Sequence, residues 1–354
     1  MMSKNQQLSI LAVFACAVPW LALSIGGNYW VRVFDFALLY AFLALGLNIV
    51  VGFAGLLDLG YVAFYAVGAY CAGLLASPHL PHAFELIRGV FPTGLHTNYL
   101  FIVPIAGLLA ACFGVLLGAP TLKLRGDYLA IVTLGFGEII RIFLNNLDRP
   151  INLTNGPKGI NGIDPMSVSG KSLGKAWHFV GMDIPSVVLY YYVFLLLVCL
   201  VILICARLQH SRIGRAWIAI REDEIAAKAM GINTRNLKLL AFAIGASFGG
   251  VAGALFASFQ GFISPESFSL SESVVILAMV VLGGMGHIPG VIIGSLILAI
   301  FPEFLRATLV PVQHFLFGKI LVDAEIIRQF IYGCVLILVI RFRPEGIWPK
   351  GKFA

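Results

Sequence analysis

Charged residues are scarce in this chain: Asp, Glu, Lys and Arg together make up 12% of its 354 residues, whereas 60% are hydrophobic. Soluble globular domains carry about twice that share of charge, at roughly 25%, and disordered chains are more polar still. The shortage of charge therefore excludes a soluble enzyme and a disordered protein. It predicts an integral membrane protein that crosses the bilayer many times, because a spanning helix needs about 20 apolar residues.

Paired cysteine motifs are also missing. The sequence has six cysteines, but it contains no Cys-x-x-Cys and no Cys and His at the spacing of a zinc site. All six fall within apolar runs, where cysteine behaves as a small hydrophobic side chain. This pattern excludes a disulfide-built secreted domain and predicts that the chain holds no metal ion.

A complete nucleotide-binding loop is the third absence. The Walker A motif requires Gly-x4-Gly-Lys-Ser/Thr between a strand and a helix. The nearest match, residues 165–172, has Pro165 in place of the first glycine. The chain is therefore predicted to encode no ATPase and to carry no cofactor, so any ATP-driven work falls to another subunit.

Long apolar runs are present instead, and they define the predicted fold. We identify ten of them from the spacing of apolar residues. They cover residues 8–26, 33–52, 56–76, 99–120, 128–146, 186–206, 239–262, 271–282, 290–310 and 325–340. The predicted architecture is a single all-α domain over residues 1–354, a polytopic transmembrane helical bundle with about ten spans, some of them broken helices.

Basic residues are concentrated in the connections on one side of this predicted bundle. Seven Lys and Arg residues lie between residues 207 and 238, and Arg341 and Arg343 follow the last apolar run. Because cytoplasmic loops are enriched in Lys and Arg, residues 207–238 are predicted to form a cytoplasmic loop. Ten spans then place both termini in the cytoplasm and make residues 148–185, which are rich in Gly, Asn, Ser and Pro, a long external loop.

The cytoplasmic loop contains a candidate contact site for another protein. Residues 216–230 lack Gly and Pro and are followed by Gly231, which predicts one short helix with a glycine stop. An acidic cluster near its start suits the helix dipole, and the small residues that follow let the helix enter a groove. These residues are Glu222, Asp223, Glu224, Ala226 and Ala227. The alternative is an amphipathic loop that rests on the membrane surface.

Four polar residues within or beside apolar runs are candidates for a substrate path, because buried charge is costly unless it faces protein or water. Glu138 and Arg141 share one helix face, where they line a polar path or form an ion pair that joins two helices. Asp58 lies in a glycine-broken joint, residues 52–60, where exposed backbone groups bind charged ligands or the chain simply turns. Asn48 either lines the path or bonds across helices.

Glycines mark two further features. Residues 283–290 form a second glycine-broken joint between apolar runs, similar in character to residues 52–60. Gly245, Gly249 and Gly253 repeat every four residues, a spacing that lets helix backbones touch. Such a stripe packs either within this chain or against a second chain.

The sequence around the cytoplasmic loop resembles a known family. Glu224-x-Ala226-Ala227-x3-Gly231 matches the EAA-x3-G pattern of ABC importer permeases, in which this cytoplasmic helix couples the permease to its ATPase. Four blocks also resemble, in the right order, the LivM-type permease of branched-chain amino acid ABC importers. They are residues 48–70, 124–142, 211–232 and 279–298, the last reading MVVLGGMGHIPGVIIGSLIL.

This resemblance implies a permease subunit in a bacterial inner membrane that translocates leucine, isoleucine and valine into the cytoplasm. It implies as partners a homologous second permease subunit, two ATPase subunits that consume ATP, a periplasmic substrate-binding protein and the lipid bilayer, and no nucleic acid. The coupling role falls on Arg221, Glu222, Asp223, Glu224, Ala226, Ala227 and Gly231. Replacing Gly231 with a bulky residue is expected to tilt the helix or to clash, and so to uncouple transport.

Alternative functions stay open at this point. Related permeases serve urea, amides and aromatic acids, so the resemblance does not settle the substrate. An ion-driven secondary transporter would need a membrane carboxylate, for which Glu138 is the main candidate. An intramembrane enzyme would need a His/Asp or Ser/Lys constellation at membrane depth. We find no such constellation, and we predict no catalytic residue.

Overall fold

Helices dominate the part of the chain that this computed structural model describes, namely residues 4–122, 124, 126–168, 170–179, 182–317, 322–343 and 346–347. They are α1 (Lys4–Asn48), α2 (Val62–Leu75), α3 (His79–Ala83), α4 (Glu85–Val90), α5 (Tyr99–Thr121), α6 (Asp127–Asn146), α7 (Ser186–His210), α8 (Arg212–Glu222), α9 (Glu224–Ala229), α10 (Thr234–Gln260), α11 (Leu270–Gly283), α12 (Ile288–Phe317) and α13 (Ala324–Phe342). Each of the ten predicted apolar segments is helical over most of its length, which confirms the predicted helical membrane protein.

Five helical stretches in the described part of the chain are long and apolar enough to cross a membrane. They are Val13–Phe53, Tyr99–Thr121, Ser186–His210, Thr234–Gln260 and Ile288–Phe315. Three shorter apolar stretches accompany them, Val62–Leu75, Leu270–Gly283 and Ile326–Val339. α2 and α11 are short because a glycine joint takes the place of one end of each helix, so the predicted broken helices are present.

The first helix is divided at a glycine pair. Gly26 and Gly27 have non-helical backbone angles, with φ of +67° at Gly27. The 41 residues of Val13–Phe53 would extend about 62 Å as one straight helix, roughly twice the thickness of the hydrocarbon core. α1 therefore consists of two helical pieces, which correspond to the predicted segments 8–26 and 33–52.

Hydrogen bonds place the two glycine joints and the loop of residues 207–238 together, in a region that we call the joint end. Arg221 of α8 donates to the Gly52 carbonyl from Nη1 at 2.5 Å. The Asn48 Oδ1 atom accepts from the Gly286 backbone N–H at 2.8 Å. The ends of α1 and α11 and the start of α12 therefore meet beside α8.

The other connections meet in a second region, which we call the loop end. The Asp164 backbone N–H donates to the Ala76 carbonyl at 2.8 Å, and that of Ile163 donates to the Gly261 carbonyl at 3.2 Å. Residues 148–185 thus contact the ends of α2 and α10. Successive long helices run alternately between the joint end and the loop end.

Short strands stabilise the loop end. In the described residues they are β1 (Ile160–Asn161), β2 (Ser167–Val168), β3 (Lys171–Ser172), β4 (Trp177–Phe179), β5 (Met182–Ile184) and β6 (Phe262–Ile263). They pair antiparallel as β1 with β6, β2 with β3 and β4 with β5. The predicted long loop is therefore partly ordered. The β2–β3 hairpin covers the stretch that resembles a Walker A motif, so that stretch does not lead from a strand into a helix.

α10 packs against α1, α2 and α5 through its small residues. A Cβ atom at Gly245 would overlap Val50, in the π-helical turn Ile49–Phe53 that follows α1, and one at Gly253 would overlap the backbone of α2. Gly249 lies against Phe64 in the same way. The glycine stripe therefore serves close packing within this chain, which confirms the first of the two sequence interpretations.

Candidate coupling site and buried polar residues

Residues 207–238, predicted to be a cytoplasmic loop, form two short helices between α7 and α10, whereas the sequence predicted one. α8 ends at Glu222, and Asp223 adopts an extended conformation with φ of −153° and ψ of 108°. Its Oδ1 atom accepts hydrogen bonds from the backbone N–H groups of Ile225 and Ala226 at 2.8 and 3.0 Å. This contact is a helix N-cap, so the prediction of one continuous helix was wrong because Asp223 starts a new helix.

One side of α9 is attached to α10. The Nζ atom of Lys238 lies 2.7 Å from Oε2 of Glu224, and the Lys238 side chain is 8% exposed. Ala227 is also buried on this side. α8 is attached through Trp217, whose indole N–H donates to the Leu237 carbonyl at 2.7 Å. A displacement of α9 would therefore act directly on α10.

The other side of α9 is an exposed apolar surface, which we call the coupling face and which consists of Ile225, Ala226, Ala229 and Met230. Ile225 is 69% exposed and Met230 is 83% exposed, while both alanines are exposed as well. Exposed apolar side chains beside small residues are typical of a surface that contacts another protein. Of the two alanines that the sequence predicted to enter a groove, Ala226 lies on this exposed face, whereas Ala227 is buried on the side of α10.

Gly231 ends α9 because its backbone adopts a left-handed conformation. It has φ of +83°, and no atom of the described residues lies within 4 Å of the position that a Cβ would take. The Ile232 N–H donates to the Ala227 carbonyl at 3.1 Å, which completes a glycine C-cap. A Cβ at this position would strain the backbone without meeting another described residue, and the effect of a bulky residue on transport stays a prediction.

The two glycine joints contact each other, and Arg221 bridges them to α8. Asn48 is fully buried, and a Cβ at Gly52 would overlap its amide oxygen and the backbone of Gly286. Gly55 has φ of +68° and lies against the Arg221 side chain. The sequence marked both joints as glycine-rich, but it carried no signal that they would meet.

Asp58 stabilises the turn in the first joint. It is 2% exposed, and its Oδ1 atom accepts from the Gly60 N–H at 2.9 Å. The neighbouring Leu59 N–H donates to Oγ1 of Thr133 on α6 at 3.0 Å. Oδ2 of Asp58 has no hydrogen-bond partner among the described residues. A role in the substrate path stays a prediction for both Asp58 and Asn48.

Glu138 and Arg141 form the ion pair that their spacing predicted. Oε2 of Glu138 lies 2.9 Å from Nη2 of Arg141, and the two side chains are about one-third exposed. Nη1 of Arg141 also lies 3.7 Å from Glu266, in the segment before α11. The Arg141 guanidinium therefore joins α6 to the segment before α11, as expected for an ion pair that links two parts of the bundle. A role in a substrate path stays a prediction.

Sequence reasoning missed two groups of polar residues. Asp35 is fully buried within α1, and neither of its carboxylate oxygens has a hydrogen-bond partner among the described residues. Tyr40, Glu272 and Arg328 line a cavity between α1, α11, α12 and α13. The signal was available, since Asp35 and Arg328 are charges inside predicted apolar segments.

Comparisons with known proteins give a consistent result. A family model described as the permease component of branched-chain amino acid transport systems matches residues 29–340. The high-affinity branched-chain amino acid transport system permease protein LivM of Escherichia coli strain K12 is 41% identical, over 98% of this chain and 76% of its own length.

Two further relatives come from Salmonella typhimurium. Its LivM permease protein is 40% identical over 98% of this chain and 76% of its own length. Its LivH permease protein, from the same kind of transport system, is 27% identical over 87% of this chain and 90% of its own length. No solved structure matches the chain.

Proposed function

This chain belongs to the permease family of branched-chain amino acid transport systems, and on that premise we propose that it is the transmembrane permease subunit of an ATP-binding cassette importer for leucine, isoleucine and valine. The relatives are named for this transport. The chain forms part of the path through the membrane and makes or breaks no covalent bond. It carries no cofactor, because partner subunits bind and hydrolyse the ATP.

The membrane arrangement in this proposal has ten spans in a bacterial inner membrane. The alternation of long helices between the joint end and the loop end supports this count. The loop that carries seven basic residues lies at the joint end, so the positive-inside rule favours the cytoplasm for that end. Both termini are then cytoplasmic, and the strands of residues 148–185 lie outside.

The observation that carries the proposal is the construction of the cytoplasmic loop. The coupling face is exposed, while the opposite side is tied to the membrane helices by the Glu224–Lys238 ion pair and the Arg221–Gly52 hydrogen bond. We propose that an ATPase subunit binds the coupling face. Movement of that subunit then pulls on α10 through Lys238 and on the glycine joints through Arg221, which changes the access of the path from outside to inside.

The remaining partners follow from the same family. A homologous second permease subunit completes the path, two ATPase subunits bind at the joint end, and a periplasmic substrate-binding protein delivers the amino acid at the loop end. The similarity to both LivM and LivH supports a pair of related permeases, because two such proteins carry the name of one transport system.

Reconstitution tests the proposed function. The chain is inserted into proteoliposomes with candidate second permease and ATPase subunits, and binding proteins are supplied on the outer side. We expect ATP-dependent uptake of labelled leucine and none of labelled urea. Leucine uptake that needs an ion gradient and no ATP, or uptake of urea in place of leucine, would contradict the proposal.

A labelling experiment tests the orientation separately. Ala226→Cys, in a background whose six native cysteines are replaced, puts a thiol on the coupling face. A membrane-impermeant maleimide should label this thiol in inside-out vesicles and not in intact cells. Labelling in intact cells would place the coupling face outside and would contradict the coupling role.

A further inference from the structure

One side of α6 carries charged residues within the proposed membrane span. The 20 residues of α6 extend about 30 Å, roughly the thickness of the hydrocarbon core, and Glu138 lies just past the middle of the helix. The side chains of Glu138 and Arg141 are about one-third exposed although they pair with each other. Glu266, whose carboxylate lies 3.7 Å from the Arg141 guanidinium, is 72% exposed. Charged side chains at membrane depth face protein or water, so this side of α6 does not face lipid.

The outward sides of α5 and α7 have the composition of lipid-facing surfaces. α5 contains no charged residue, and in α7 one arginine lies in the last turn. Leucine side chains that are 65–76% exposed cover both helices, namely Leu100, Leu108, Leu116, Leu196 and Leu203. α6 therefore differs from these two spans, because it presents charged as well as apolar side chains.

Helix periodicity separates two sides of α6. Ile131, Glu138 and Asn145 recur every seven residues and therefore share one side, and Arg141 flanks them. We call the surface formed by these four residues the polar side of α6. The other side suits lipid, because its exposed side chains are apolar: Val132, Ile139 and Phe143, with Gly135 between them.

The polar side adjoins the contact between α6 and the first glycine joint. A Cβ at Gly60 would overlap the backbone of Thr133, and a Cβ at Gly137 would lie 3.3 Å from the Cα atom of Gly60. Gly137 immediately precedes Glu138 in α6. A protein bound to the polar side therefore lies next to the joint that the Arg221 hydrogen bond connects to α8.

The depth and the charge of this surface select the partner. ATPase subunits and a periplasmic binding protein lie outside the bilayer, so only another membrane helix reaches Glu138. Glu138, Arg141 and Glu266 together carry one surplus negative charge. In a symmetric pair of identical chains the same patch meets its own copy, and the surplus charges would repel each other. A related but different chain can place a positive charge there.

We infer that the second permease subunit packs against the polar side of α6 and places a lysine or arginine side chain opposite Glu138 and Glu266. The apolar residue Ile131 packs against that subunit, while the opposite side of α6 stays in lipid. The inference rests on the proposed function and adds the surface at which the two permeases meet. A second copy of this chain and a water-filled space at the polar side are the rival occupants.

Site-specific photo-cross-linking is the first test. The photoreactive residue p-benzoylphenylalanine replaces Ile131, which is 64% exposed on the polar side, or Leu203, which is 65% exposed on α7. The full chain is produced together with the second permease that co-purifies with it, which carries a different tag, and the membranes are irradiated. We expect a product with both tags from the Ile131 position and none from Leu203. No product at Ile131, equal products at the two positions, or a product that joins two copies of this chain overturns the inference.

A charge test is independent of the cross-linker. Glu266→Lys changes the surplus charge from negative to positive, and Glu266→Gln removes it. Association is measured by titration of the purified full chain with the fluorescently labelled second permease. We expect Glu266→Lys to weaken association about tenfold or more and Glu266→Gln to weaken it less. Glu85→Lys, at an exposed position of α4, is the control and should bind as the wild type does.

The unfolding temperature in detergent shows whether the Glu266 variants fold, and their exposed side chain makes an unchanged value the expected result. Equal affinities for Glu266→Lys and Glu85→Lys overturn the inference. Tighter association of Glu266→Lys than of the wild type overturns it as well, because the partner surface then carries negative charge.

Uptake measurements separate this inference from the proposed function. If the reconstituted importer takes up leucine with ATP but Ile131 forms no cross-link to the second permease, the surface assigned here is wrong, while the proposed function stands. If the cross-link forms at Ile131 and leucine uptake needs an ion gradient and no ATP, the proposed function fails, while the contact between the two permeases stands.

Discussion

The joint end and the cavity involve the same helices but are built in opposite ways. At the joint end, the segments that follow α1 and α11 approach so closely that only glycine fits at Gly52, and the Asn48 side chain accepts a hydrogen bond from the Gly286 backbone. At the cavity, side chains such as Tyr40 and Glu272 hold the same two helices around empty space. Tyr40 precedes Asn48 by eight residues, or about 12 Å along the helix.

This difference teaches where the molecule is stiff and where it adapts. At the joint end there is no space for one more carbon between the two glycine joints. A displacement of one joint therefore moves the other, because closely packed interiors have low compressibility. A cavity lined by side chains can change its contacts by side-chain rotation, without a shift of the backbone. The proposed mechanism uses the first property, because the coupling movement begins at the stiff end.

Gly52→Val should have the largest effect, because it forces the two joints apart. The new side chain overlaps the Asn48 amide and the backbone of Gly286, and such overpacking costs about 1–3 kcal/mol or more. We expect leucine uptake to fall to background and the thermal unfolding temperature in detergent to drop.

Gly135→Val on α6 is the matched control for this change. No atom of the described residues lies within 4 Å of a Cβ at Gly135, and valine is at least as good a helix former as glycine. Near-normal uptake is expected for this variant. Normal uptake by Gly52→Val would show that the joints need not touch.

Arg221→Met tests the contact between α8 and the first glycine joint. It removes the hydrogen bond to the Gly52 carbonyl but keeps much of the aliphatic stem. Hydrogen bonds of charged groups contribute about 1.5–3 kcal/mol, so we expect uptake to fall about tenfold while the ATPase subunits still assemble on the chain. Arg212→Met, at an exposed position on α8, serves as the control. Equal uptake in the two variants would show that the Arg221 hydrogen bond does not contribute to coupling.

The contrast between the two regions also shows which features the sequence predicts. Long apolar runs and the glycine stop at Gly231 are local patterns, and each corresponds to a helix or a helix end in the structure. The second helix within residues 207–238 was missed because Asp223, counted as one of an acidic cluster, acts as an N-cap. The carboxylate was visible in the sequence, but its hydrogen bond depends on the local backbone.

The contacts between distant segments could not be predicted in the same way. Asn48 and Gly286 are separated by 238 positions in the sequence, and nothing in either glycine joint specifies the other. The cavity requires Tyr40, Glu272 and Arg328 from three helices to point to one place. Packing of the whole bundle determines that arrangement, so single apolar runs do not reveal it.

Gly231→Ala tests whether the backbone conformation that ends α9 is needed for transport, and it should have a moderate effect. A residue other than glycine costs about 1–2 kcal/mol in the left-handed conformation that Gly231 adopts, and no clash adds to this cost. We expect ATP-dependent uptake to fall roughly fivefold with normal insertion. Gly231→Asn should retain more uptake than Gly231→Ala, because asparagine tolerates this conformation better. The reverse order would indicate that steric contact with a partner, and not backbone strain, determines the role of Gly231.

The smallest effect is expected at the loop end, where His96 and Asp164 form an exposed ion pair. The hydrogen bond that His96 donates to the Asp164 carboxylate raises the pKa of His96 above its ordinary value of 6.5. The folded chain thus binds this proton more tightly than the unfolded chain. The contact stabilises the folded chain fully below about pH 6.5, and its contribution is lost as the pH rises through the pKa of the folded state.

Both side chains of this ion pair are more than one-third exposed, so we expect it to contribute less than about 1 kcal/mol to the free energy of unfolding. Unfolding temperatures measured from pH 5.5 to 8.5 should decline slightly more in the wild type than in His96→Gln, and parallel curves would show that the pair adds no pH-dependent stability.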